Sequence, residues 1–166
     1  MHSWGVEFMA EREKGVTPSS AETVIRFESL EDAVNYLEAL RNEYSNLVGR
    51  LVRMLEDIRV AKSGIDALLK LASELGGEIR QTGFREGPRV SLAGAELVIL
   101  PSPDTLERIL EEVAEAANRK LTTLTEIAKR MRELAQRNPL AGQVIVEIAL
   151  VDGIPKYIIV REKAGF

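Results

Sequence analysis

The sequence predicts an α+β fold: two long antiparallel amphipathic helices, a small antiparallel sheet made by the terminal strands, and a β-hairpin between the helices. Three observations predict it. A four-three apolar rhythm runs unbroken from Ala33 to Leu75, and a second runs from Leu106 to Leu134 with one break at Lys120. Around them lie short alternating segments divided by Gly, Pro and Asp-Gly.

Residues 1–20 read as a flexible N-terminal segment and 21–166 as a single α+β domain. The first segment alternates Trp4, Val6 and Phe8, then passes into the linker-like Gly15-Val16-Thr17-Pro18-Ser19-Ser20. Glu22 to Glu28 sets Thr23, Ile25 and Phe27 against Val24 and Arg26, the pattern of a half-buried strand.

Ser29 is a natural N-cap, with Glu31 and Asp32 placed well for the helix dipole. From there steps of four and three give Leu37, Leu40, Tyr44, Leu47, Leu51, Met54, Ile58, Ala61, Ile65, Leu68, Ala72 and Leu75. Such a seam is the signature of a coiled coil, because a 3.5-residue repeat keeps one stripe facing a partner helix. Ser63-Gly64 offers a break, yet the heptad phase passes through it, so a continuous helix is expected. Gly76-Gly77 should end it.

Strand-like pieces follow at Glu78–Phe84, Arg89–Leu92 and Ala95–Leu100, interrupted by Gly83, Gly87-Pro88 and Gly94. Ser102-Pro103-Asp104 starts the second helix with a cap, a proline at N1 and a first-turn acid. Lys120, the break in its seam, is expected to lay its stem along the stripe with the ammonium in water. Asn138-Pro139 stops the helix.

The carboxyl-terminal stretch reads as a hairpin around Asp152-Gly153 in a type I′ turn. A simple two-residue register places Val144, Val146, Ile148, Leu150, Pro155, Tyr157 and Ile159 on the core face. Ile145, Glu147, Ala149, Ile154, Lys156, Ile158 and Val160 then take the other. The element order β-α-β-β-α-β also fits a ferredoxin-like fold, which requires the first helix to break near Gly49 or Gly64.

Composition narrows the function classes. The chain has 166 residues, no cysteine, one histidine and a net charge of −4. Thiolate metal sites, disulfides and cysteine nucleophiles are excluded, and neither nucleic acid nor anionic lipid gains bulk attraction. His2 sits too near a terminus to suggest a site. Arginine outnumbers lysine 15 to 7, which with abundant glutamate leans toward a thermophilic source. No secretory pattern and no membrane-length apolar run is seen, so a cytoplasmic address is expected.

No P-loop, Gly-x-Gly-x-x-Gly, Gly-x-Ser-x-Gly or His-Glu-x-x-His motif occurs, so no catalytic residue, cofactor or metal is assigned. The carboxylates Glu56-Asp57 and Glu111-Glu112 with Glu115 fall on a solvated helix face. Arg80, Arg85 and Arg89 with Phe84 form the one constellation suited to phosphate and base contact, although Glu78 and Glu86 reduce its charge. The expected function is therefore a non-enzymatic assembly or interaction protein, a homodimer or larger, joined through its long helices. The alternative is a nucleic-acid-binding module using the segment 78–90.

Overall fold

The computed structural model describes residues 22–76 and 86–163. In order they form β1 (Thr23–Phe27), α1 (Leu30–Glu74), β2 (Arg89–Leu92), β3 (Ala95–Val98), α2 (Pro103–Arg137), β4 (Val144–Val151) and β5 (Ile154–Glu162). The α+β class with two long helices follows directly. The expected strand at Glu78–Phe84 and the segment 1–20 lie outside the described residues.

The helix ends obey local chemistry. The Ser29 hydroxyl accepts the Asp32 amide at 3.1 Å, and the Ser102 hydroxyl accepts the Thr105 amide at 3.2 Å. Gly76 closes α1 with a φ of 74°, a conformation in which a Cβ would be strained. Between those ends α1 is continuous for 45 residues, about 68 Å, through both Gly49 and Gly64. The ferredoxin-like arrangement, which needs a break there, is thus not the one adopted.

The described residues cluster into two compact units, one containing 22–47 and 117–163, the other 48–76 and 86–116. The first holds a three-stranded antiparallel sheet in the order β1-β4-β5. Leu30, Val34, Leu37, Leu40 and Tyr44 of α1 meet Leu124, Ala128 and Met131 of α2 and Val146, Ile148 and Leu150 of β4 in one core. Each fully buried leucine or isoleucine there contributes about 1.5–3 kcal/mol relative to exposure. Arg132 adds a two-pronged bond to Glu38, both oxygens at 2.7 Å, joining the acidic start of α1 to the basic end of α2. That hydrogen bonding holds the Glu38 carboxyl below the ordinary range.

Among the described residues the Tyr36 hydroxyl and Glu43 Oε2 are buried without a hydrogen-bond partner. Burial pushes the Tyr36 phenol up to about 12 and raises the Glu43 carboxyl. Lys120, the break in the α2 seam, is half-buried. Its ammonium donates to the Asp152 carbonyl at 2.9 Å and so pins the β4–β5 turn.

That turn is type I′ as expected, with φ of 54° at Asp152 and 74° at Gly153. The register beyond it is not the simple one. Leu150 pairs with Pro155, but Ala149 pairs with Tyr157, so Lys156 is an extra, bulged residue. One inserted residue reverses every later side chain. Ile158 and Val160 therefore share the face of Ile148 and Val146, while Tyr157 and Ile159 lie on the outer face with Ala149 and Glu147. Pro155 keeps its expected place and is buried.

The second unit contains residues 48–76 of the first helix, the β2–β3 hairpin and residues 103–116 of the second helix. Its hairpin turns through Ala93-Gly94, both with positive φ. Gly87 extends the ladder by donating to the Leu100 carbonyl at 3.2 Å. A Cβ at Gly87 would lie 2.1 Å from the Ile99 carbonyl oxygen, so only glycine fits there.

Candidate interaction surface

In the second unit the two helices are joined mainly by charge. Arg59 reaches Glu107 at 3.3 Å and Glu111 at 2.7 Å, and Lys62 reaches Asp104 and Glu107, each at 2.6 Å. These contacts rise along α1 as they fall along α2, so the helices run antiparallel. The hydrogen bond from Lys62 holds the Glu107 carboxyl below its ordinary range, with Arg59 adding to the effect. Apolar burial is slight by comparison. Among the described residues of this unit only Leu51, Leu55 and Thr105 are buried.

Thr105 shows what fixes the hairpin. Its hydroxyl donates to Glu86 and accepts from Ser102, while Arg89 reaches the same oxygen at 3.3 Å. Arg89 also contacts Glu86 at 3.2 Å and Glu96 at 3.5 Å. A guanidinium held between two carboxylates has little left for a phosphate. The other residues of the nucleic-acid constellation, Arg80, Phe84 and Arg85, lie outside the described residues.

The predicted seam divides along its length. Leu37, Leu40, Tyr44 and Leu51 are buried, and Leu47 and Ile58 are half-buried. Met54, Ile65 and Leu68 are exposed, at 51%, 49% and 67%. Past Lys62 every residue of α1 is exposed, although Ile65, Leu68, Leu69, Leu71 and Ala72, with Leu75 just after the helix, recur at helical spacing. The stretch is an amphipathic helix with its apolar stripe in water.

The hairpin repeats the pattern. Val90 pairs with Leu97 and Leu92 with Ala95, so these four share one face of the ribbon. Val90, Leu92 and Leu97 are 42%, 52% and 43% exposed. Leu100, 65% exposed, is held at a φ of 49°, where a side chain costs about 1–2 kcal/mol. Sequence reasoning missed these hairpin residues as a surface, although the alternation of Val90 and Leu92 with Arg89 and Ser91 was its signal.

Among the described residues no group of three or more His, Asp or Glu side chains could hold a metal ion. No described helix is long and apolar enough to cross a membrane. Comparison with known proteins finds no matching family model, no matching curated protein and no matching solved structure.

Proposed function

We propose that the chain is a non-enzymatic assembly protein that associates with a second copy of itself through the long helices. The observation carrying this reading is the exposed apolar stripe from Ile65 to Leu75, along the last turns of α1 and just past its end. A helix of this kind gains little from remaining in water. Covering Leu68 and Leu75, 67% and 78% exposed, stabilises an assembly by about 1–2 kcal/mol each. A two-fold pair is the commonest way for identical chains to cover such a stripe, which favours a dimer. The composition fits a cytoplasmic address.

Light scattering across a concentration series tests the proposal. The mass is expected to rise from 18.4 kDa toward twice that value as concentration increases. Leu68→Asp, which sets a charge on the stripe, is expected to hold the chain at the lower mass. A wild-type chain that stays monomeric throughout the series overturns the reading.

A further inference from the structure

We propose that the ion pairs between the helices of the second unit form a clasp that regulates self-association. The clasp sets how much of one apolar line on α1 a second copy can reach. This rests on the reading of the chain as a self-associating protein, and names the control of that same surface.

The line runs along α1 in steps of four and three: Leu51, Leu55, Ile58, Lys62, Ile65, Leu69 and Ala72. Residues so spaced share one side of a helix. Leu51 and Leu55 are buried, Ile58 and Lys62 are half-buried, and Ile65, Leu69 and Ala72 are exposed. Lys62 identifies the neighbour on this side, because its ammonium bonds Asp104 and Glu107 of α2, each at 2.6 Å. α2 begins at Pro103. Its cover therefore stops where the line becomes exposed.

Charge holds that cover in place. Among residues 103–116 of α2 only Thr105 is buried, while Leu106 and Val113 are exposed and Ile109 and Leu110 half-buried. The Thr105 hydroxyl is engaged by Glu86, Arg89 and Ser102, none of them on α1. Lifting these turns from α1 thus costs little apolar burial on the α2 side. Glu107 is the centre of the clasp. It accepts from both Arg59 and Lys62, and its side chain is 20% exposed. A shared and shielded carboxylate is screened less by water and salt than a lone surface pair. Stretches with few buried apolar contacts open at a lower free energy than the whole fold. The hairpin travels with α2, since Glu86 and Arg89 are tied to Thr105.

Opening turns the covered part of the line into surface for a partner. In the closed form a second copy reaches Ile65, Leu69 and Ala72. In the open form it reaches Leu51, Leu55 and Ile58 as well, so the open form binds more tightly and is selected by the copy. The first turns of α2 act as an autoinhibitory cover. Apparent affinity falls with the share of chains that are open, and both chains of a pair must open.

Lys62→Gln tests the clasp, with Lys70→Gln as a control that removes an exposed lysine beyond it. A single helix of this length is marginal in water, so turns lifted from α1 exchange their amide hydrogens. At dilutions where the chain is monomeric, exchange over residues 107–114 is expected to quicken about fivefold in Lys62→Gln. Exchange over residues 33–44 should stay unchanged, which confirms that the fold is kept. The dissociation constant from light scattering should fall about 25-fold, the square of the gain in open chains. Lys62→Arg, which keeps the charge, and Lys70→Gln should alter neither reading. Exchange over 107–114 that matches the control overturns the proposal, as does faster exchange with no tighter association. A wild-type chain that never associates overturns it too, and that series by itself marks the failure as one of the underlying reading.

Discussion

The unit containing the three-stranded sheet and the unit containing the hairpin are built from the same two helices, yet they hold together differently. In the first, both helices press leucines onto a sheet, and Leu37, Leu40, Leu124 and Ile148 are fully buried. In the second, Arg59 and Lys62 bridge the helices through carboxylates, and apart from Leu51 and Leu55 the large apolar side chains of its described residues are partly or largely exposed. Exposed ion pairs contribute about 0–1 kcal/mol each, far less than a filled core. The difference teaches that an unbroken heptad rhythm specifies a helix but not what covers it. The fully buried part of the stripe lies where a third element arrives, and the three-stranded sheet is that element for Leu37 and Leu40.

The largest effect expected from this contrast lies at paired leucines. Leu124→Ala, in the filled core, is expected to cost about 2–5 kcal/mol in chemical denaturation. Leu68→Ala should cost less than about 0.5 kcal/mol at dilutions where the chain is monomeric. Equal costs at the two positions would break the comparison. Hydrogen exchange sharpens it further. Amides of residues 63–74 should open at far lower free energy than those of 33–44, and their protection should climb with protein concentration.

Smaller effects probe the sheet-bearing unit alone. Tyr36→Phe removes a buried hydroxyl with no partner among the described residues and is expected to stabilise by about 1 kcal/mol in the same denaturation assay. An equal loss of stability would mean that the hydroxyl is satisfied in solution. Glu38, held low by its hydrogen bonds to Arg132, gives the smallest change. Its contribution is intact above the unfolded carboxylate value, about 4.3, and is lost as pH falls through the lower folded value. Glu38→Gln should therefore lower the melting temperature slightly at neutral pH, and the gap should close in acid.

Much of the architecture was legible in the residues. Ser29 and Ser102 announced the helix starts, Asn138-Pro139 the end of α2, and Asp152-Gly153 the final turn, because each rests on local chemistry that tertiary contacts rarely override. The outward placement of Tyr157 and Ile159 was not legible. β5 carries apolar residues on both faces, so alternation alone permits either register, and the bulge at Lys156 decides between them. Pro155 was the available clue, since proline within a strand belongs to an edge or a bulge. For the candidate surface, the apolar spacing of Ile65 and Leu68 could be read, whereas their exposure depends on which elements fail to reach them.

Gly64 gives the long helix a further property. An added Cβ there would meet nothing within 4 Å, so no crowding demands a glycine. Alanine at that position would favour the helix by about 1 kcal/mol. The chain thus keeps a thermally soft joint just ahead of its oiliest turns. On warming, those final turns should fray from the joint onward while the rest of the rod stays wound, offering proteases a first point of entry.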